Sequence, residues 1–312
     1  MERFKLNKKG FTLAETLITL GIIGIVAAMT VPALVQNYRK KQWVTGLKAG
    51  ITILDQGFKK VMADAGVDDF RNTDLFVACN DDVYYDAIDK GMDEDEATNI
   101  YIEGQKVCFS ILQKYFKGIK LMSWGYMLEN LSELDEEGWT ITNPELCKKG
   151  LGEFTAWSLY NEGKSCIITF LNAAYTLING MRFGYIVNNQ GDPYTSESGT
   201  IHNIDPGIIY ISLDINGNRG PNTYGRDVFM LVVLKDGSVV PYQGYKYYQE
   251  ETKICKAHDS RCRWGNLGDN VEARTKNAER NTCASPKEYE IGSYNGFNCA
   301  SRIERDGWEM KY

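Results

Sequence analysis

The chain has 312 residues, with 35 Lys and Arg against 41 Asp and Glu and a net charge of −6. That balance repels a nucleic-acid backbone, and no Lys/Arg-rich stripe reverses it, so no nucleic-acid partner is expected. The length is enough for a substantial core, as one large domain or two small ones. The N-terminus is a short basic leader that ends in a single glycine, Gly10. Phe11-Thr12-Leu13-Ala14-Glu15 follow, and then an uncharged run from Thr16 to Val35. At about 1.5 Å per residue that run spans roughly 30 Å, one bilayer core. A secretory signal would instead have an apolar core of about 7–15 residues with a small-residue cleavage site behind it. A plain membrane anchor would have the right length but no use for Glu15. A carboxylate on a membrane helix costs about 2.5–3.5 kcal/mol at the bilayer centre, so it needs a partner or a purpose.

Lys8-Lys9-Gly10-Phe11, Glu15 and the apolar run together resemble the N-terminus of type IV pilins and of the pseudopilins of type II secretion. The resemblance covers residues 5 to about 60. It implies a prepilin peptidase cut between Gly10 and Phe11, and methylation of the new amine on Phe11. Gly10 suits such a site because a residue without a side chain leaves the scissile backbone open. In the family the carboxylate at Glu15 pairs with the N-terminal amine of a neighbouring subunit. Pro32 falls where family members carry a helix-kinking proline, which removes one backbone hydrogen bond. The implied partners are like or related pilin subunits, the prepilin peptidase and inner-membrane lipid. The implied topology is single-pass in the inner membrane, with a cytoplasmic N-terminus and an extracytoplasmic C-terminal domain, and then a place in a filament. The basic leader agrees with that orientation, whereas Arg39, Lys40 and Lys41 argue the other way. Loss of residues 1–10 leaves 31 basic against 40 acidic residues, a net −9.

The segment 11–62 reads as one long helix, transmembrane over about 13–36. Beyond Pro32, Val44, Leu47, Ile51, Leu54, Phe58 and Val61 recur at steps of three and four, a stripe facing a core rather than lipid. Gly46, Gly50 and Gly57 each weaken the helix by about 1 kcal/mol relative to alanine, so packing must hold it. Residues 63–169 read as a loop and helix region. It carries an acidic patch at Asp93-Glu94-Asp95-Glu96, read as solvated surface. A second amphipathic helix is expected through Val107, Ile111, Tyr115 and Ile119.

Over 170–244 the period changes to that of strands. Asn179-Gly180 joins Ala173–Ile178 to Met181–Val187 as a hairpin, and Asp236-Gly237 joins Asp227–Leu234 to Ser238–Pro241. With Gly207–Ile215 these make an antiparallel meander, one face of which the long helix covers. The expected fold is thus α+β and pilin-like, with residues 245–312 as a cysteine-containing C-terminal extension.

Eight cysteines stand at Cys79, Cys108, Cys147, Cys166, Cys255, Cys262, Cys283 and Cys299. In an exported chain an even count reads as disulfides, with pairs kept within each half. Zinc is the alternative, because Cys255, His258 and Cys262 form a C-x2-H-x3-C pattern with His202 as the other histidine. Between strands, Asp214, Asn216 and Asn218 alternate as the first ligands of an EF-hand do, which suits a hard cation. Arg219 sits where the EF-hand glycine belongs, and Gly225 replaces the bidentate glutamate. Closure would fall to Asn222, Asp227 or backbone carbonyls, as the resemblance to the calcium-holding loop of major pseudopilins allows. The competing reading is a structural loop, with Asp and Asn bonding their own backbone and Gly217 and Gly220 at positive φ.

The chain has no G-x-S-x-G, no Walker glycine loop and no H-E-x-x-H, so no enzyme and no required cofactor are expected, with calcium the candidate ion of the Asp214–Asp227 loop. The sequence reads as a structural subunit of a type IV pilus or a type II secretion pseudopilus. Its alternative is a minor pilin that binds a ligand or secreted protein through its C-terminal region.

Overall fold

A computed structural model describes residues 12–80, 82–122, 140–141, 155–157, 166–168, 173–188, 193–202, 204–217, 219, 222–254, 271–283 and 296–312. The chain divides into two compact units, Met1–Gln42 and Trp43–Tyr312. A single helix, α1, runs Leu13–Ala65. In the first unit its large apolar side chains, among them Leu17, Ile18, Leu20, Ile22 and Ile23, are exposed. This stretch is long and apolar enough to cross a membrane.

In the second unit, one face of α1 is buried through Val44, Leu47, Gly50, Leu54, Gly57, Phe58, Val61 and Met62. After α1 come the short helices α2 (Asp74–Cys79) and α3 (Asp82–Asp89), then α4 (Glu94–Tyr115). The expected acidic patch lies at the start of α4. Asp93 caps the helix by accepting the Glu96 N–H, and Glu94, Asp95 and Glu96 sit in its first turn, where carboxylates favour the helix dipole. α4 begins well before the helix expected from Val107 onward, because that cap and the buried Ala97 and Tyr101 extend it.

The main sheet has six strands in the order β1-β5-β6-β9-β10-β11. These are β1 (Gly118–Met122), β5 (Ala173–Leu177), β6 (Arg182–Val187), β9 (Gly207–Asp214), β10 (Val228–Leu234) and β11 (Val239–Pro241). Every pairing is antiparallel. The expected meander is present, and β1, from before the expected sheet region, adds an edge to it. A small sheet of β2 (Thr140–Ile141), β3 (Thr155–Trp157) and β4 (Cys166–Ile168) stands apart in the order β2-β4-β3. A hairpin of β7 (Tyr194–Thr195) and β8 (Ile201–His202) is inserted between β6 and β9.

Register sorts the strand residues onto two faces. Phe183, Leu213 and Phe229 stand in one row, and Tyr185, Ile211 and Leu231 in the next on the same face. Both rows join the core that contains α1. Phe58 of α1 anchors this core, with ring centroids 5.4 Å from Phe70 and 5.1 Å from Phe116. The opposite face, including Val232 and Leu234, is buried under Tyr247, Tyr248 and Ala278. Those residues belong to α5 (Tyr245–Ile254) and α6 (Val271–Thr282). The C-terminal extension is therefore a second cover for the sheet. Arg274 and Glu251 tie α6 to α5 through a buried ion pair of 2.6 Å, and Arg274 lies 4.6 Å over the Tyr248 ring. Ala300 and Ile303 of α7 (Cys299–Arg305) enter the α1-side core, and Trp308 lies under Lys48 of α1.

The glycines of α1 now have a role. A Cβ on Gly46 would lie 2.8 Å from the Ile215 side chain, and one on Gly50 or Gly57 would run into Leu213 or the Phe116 ring. Each allows a sheet-side residue to press against the helix backbone. Gly57→Ala is expected to destabilise the fold by about 1–3 kcal/mol through overpacking. Gly104→Ala in α4 meets only the Ala78 carbonyl at 3.9 Å and is expected to stabilise it by up to about 1 kcal/mol. Chemical denaturation followed by circular dichroism would read both changes.

Candidate functional site

Two parts of the chain hold the residues singled out by sequence. At the start of α1, Gly10 and Phe11 lie outside the described residues. Thr12 and Glu15 close a reciprocal cap. The Glu15 carboxylate accepts the Thr12 N–H at 2.8 Å, and the Thr12 hydroxyl accepts the Glu15 N–H at 3.2 Å. This is a capping box, and Thr12-x-x-Glu15 announces it in the sequence. The carboxylate thus has a use within its own chain as well as any between chains. Pro32 lies inside the unbroken span of α1, where it removes the bond its N–H would give to the Ala28 carbonyl.

The second part is the loop between β9 and β10. Asp214 ends β9, and its pairing with Val228 sets Asp227 beside it. Both carboxylates are buried. Asp214 accepts the N–H groups of Asn216 at 3.0 Å and Gly217 at 2.8 Å, and its other oxygen accepts the Asn222 amide at 3.3 Å. Asp227 accepts the Thr223 N–H at 2.6 Å and the Asn216 amide at 3.0 Å. Gly217 has φ 63°, as the structural-loop reading requires. Asp214, Asn216, Asn222 and Asp227 therefore do converge, while Asn218 and Gly220 lie outside the described residues. The buried Oδ1 of Asn216 accepts no hydrogen bond.

Residues that sequence reasoning passed over complete this site. Arg182, buried at the start of β6, stands opposite Asp214. Tyr224 is fully buried and shares a 2.8 Å hydrogen bond with Ser212. The C-terminal segment closes over it. The Phe297 ring lies 4.5 Å from that of Tyr224, and the Tyr312 hydroxyl donates to the Gly225 carbonyl at 2.6 Å. An arginine opening an otherwise apolar strand was the available signal for Arg182; no local pattern announces the Tyr312 contact.

Two disulfides, Cys79–Cys108 and Cys283–Cys299, stay within the halves expected. Cys147, Cys255, Cys262 and His258 lie outside the described residues, and Cys166 opens β4. His202 stacks on Tyr194 across the β7–β8 hairpin, with centroids 5.0 Å apart. Among the described residues no three His, Cys, Asp or Glu side chains gather as a metal site, so any cation in the β9–β10 loop would need amide or carbonyl oxygens.

The comparisons with known proteins bear on the first part. The prokaryotic N-terminal methylation motif matches residues 5–31, and this is the prepilin signal of type IV pilins and pseudopilins. It is the mark of a structural-subunit family, and it implies assembly with related pilin subunits and a prepilin peptidase. With the apolar helix behind it, it fits a protein anchored in the inner membrane. No curated protein and no solved structure matches the chain.

Burial drives the electrostatics of the loop. It pushes Asp214 up to about 7, with the Asp227 charge adding and the Asn216 and Gly217 N–H groups and Arg182 opposing. It pushes Asp227 up to about 6 against the N–H of Thr223 and the amide of Asn216. Both carboxyls hold protons more tightly folded than unfolded. Their contribution therefore favours the fold at about pH 4 and is lost as pH rises through about 7. In the absence of divalent cations, the urea midpoint is expected to fall across that window. Asp214→Asn, which keeps an acceptor without the charge, is expected to flatten the fall.

Proposed function

We propose that this chain is a structural subunit of a type IV pilus or type II secretion pseudopilus. One observation carries the proposal: a methylation motif opens a helix that is apolar and exposed in its first half and serves as the core of an antiparallel sheet in its second. The apolar half holds the subunit in the inner membrane with its N-terminus in the cytoplasm. After cleavage between Gly10 and Phe11 and methylation of Phe11, it becomes the shared core of a filament. Glu15 then serves twice, capping its own helix and offering a counter-charge to a neighbour's Phe11 amine. Mass spectrometry of the membrane-extracted protein should find Phe11 as the first residue; an intact Met1 would sink the proposal. Glu15→Ala should leave membrane insertion intact but impair incorporation beside wild-type subunits. The reading as a ligand-binding minor pilin receives less support, because Tyr247 and Tyr248 are spent on packing the sheet.

We also propose calcium as the ligand of the β9–β10 loop. The donors are hard oxygens, as calcium needs, and the Asn216 Oδ1 is a buried acceptor without a donor. Asp214 and Asp227 would supply the charge, with Asn216, Asn218, Asn222 and backbone carbonyls completing the shell. Two carboxylates place the affinity at about 10⁻⁴–10⁻³ M, as in extracellular modules. About millimolar calcium should raise the melting temperature and chelator should reverse it. The same shift in an Asp214→Ala/Asp227→Ala double variant would leave only the structural loop.

A further inference from the structure

We infer that Tyr38, Arg39, Lys40 and Lys41 form a collar that binds the phosphates of anionic phospholipid. The inference rests on the membrane anchoring proposed above and adds a lipid class to it. Four observations lead to it. α1 continues without a break through these residues, which follow directly on the apolar run. Tyr38 is 63% exposed, Arg39 and Lys41 are exposed too, and Lys40 is half-buried. If Val35 marks the edge of the hydrocarbon, residues 38–41 lie about 4–9 Å beyond it, at the depth of the headgroups. The unit Trp43–Tyr312 carries 28 basic and 39 acidic residues, a net −11, so the three cations stand out against a strongly acidic domain.

The occupant follows from how the charges are arranged. Consecutive residues turn about 100° around a helix, so Arg39, Lys40 and Lys41 spread over roughly 200°. A single neighbouring helix meets residues three and four apart on one face, and could not engage all three cations together. A ring of headgroups surrounds the helix and can. A phosphodiester offers two oxygens to the arginine fork and a compact charge to each lysine, and a tyrosine at that depth places its ring among the acyl ends and its hydroxyl among the headgroups. A zwitterionic lipid offers the same phosphate neutralised by its own amine, so the collar should select phosphatidylglycerol over phosphatidylcholine.

The test uses the full-length chain reconstituted into vesicles containing equal amounts of phosphatidylcholine and phosphatidylglycerol. Flotation reports insertion, and native mass spectrometry after gentle extraction counts the lipids that stay bound. At roughly fivefold per cation, retained phosphatidylglycerol should exceed phosphatidylcholine by on the order of 100-fold. The preference should vanish at about 1 M salt, where charges a few ångströms apart are screened. It should also vanish in an Arg39→Gln/Lys40→Gln/Lys41→Gln variant that still floats. Equal retention of the two lipids, or full preference in the variant, would overturn the collar while leaving anchoring in place. A wild-type chain that does not float would overturn both. A variant that keeps its lipid preference but no longer enters filaments would assign the cations to a neighbour's carboxylates instead.

Discussion

The structure depends on how closely α1 can approach the sheet. Ordinary side chains on the helix would hold the two further apart. Gly46, Gly50 and Gly57 remove that spacer along one face, and Ile215, Leu213 and Phe116 fill the space directly. Phe58 stands next to the last of these gaps and carries the aromatic contacts outward to Phe70 and Phe116. The same glycines lower the helix's own propensity. α1 beyond residue 43 is therefore helical because it is packed, and the packing is close because the glycines are there. In the first unit the large apolar side chains are exposed among the described residues, and they are of the kind that favours a helix in lipid.

Close packing on one face leaves the other face of the sheet to be covered. Strand β10 reads Val-Phe-Met-Leu-Val-Val-Leu without a polar residue, and all but Met230 are fully buried. A strand with one wet face alternates; a continuous apolar run belongs to a strand covered on both sides. α5 and α6 supply the second cover. Their buried Glu251–Arg274 pair costs desolvation, and burial pushes Glu251 up to about 7 while Arg274 pulls it back. Such a pair fixes how α5 meets α6 more than it strengthens the contact.

Much of this architecture could be read from the residues alone. The methylation segment, the helical stripe from Val44 to Val61 and the turns at Asn179-Gly180 and Asp236-Gly237 all follow short-range rules; the family motif matches the first, and the structure has the stripe and both turns. What escaped was of two kinds. Some of it was local and overlooked: the Thr12–Glu15 capping box, the unbroken apolar run of β10, and the Glu272–Lys276 pair one turn apart on α6. The rest is not local at all. β1 joins β5 across more than fifty residues, and Tyr312 reaches Gly225 from the far end of the chain. Contacts of that kind are decided by which surfaces remain uncovered after the local elements form, and periodicity carries no record of them.

The candidate cation loop shows how the two kinds of information meet. Its Asp and Asn spacing is local, but burial gives those residues their chemistry, and the C-terminal segment packs on Tyr224 and Gly225 of the same loop. Gly296, at φ 113°, lies against the Tyr224 backbone where any Cβ would collide, and Phe297 packs on the Tyr224 ring. Cys283–Cys299 holds this segment to the end of α6, beside Tyr312. Arg302 reinforces the junction by donating to the Cys283 carbonyl at 2.5 Å while its guanidinium lies 5.4 Å over the Tyr312 ring. A disulfide some seventy residues away in sequence thus belongs to the wall of the loop. Burial is what raises the proton affinity of the two carboxylates, and the cross-linked segment packs on Tyr224 and Gly225 of the same loop.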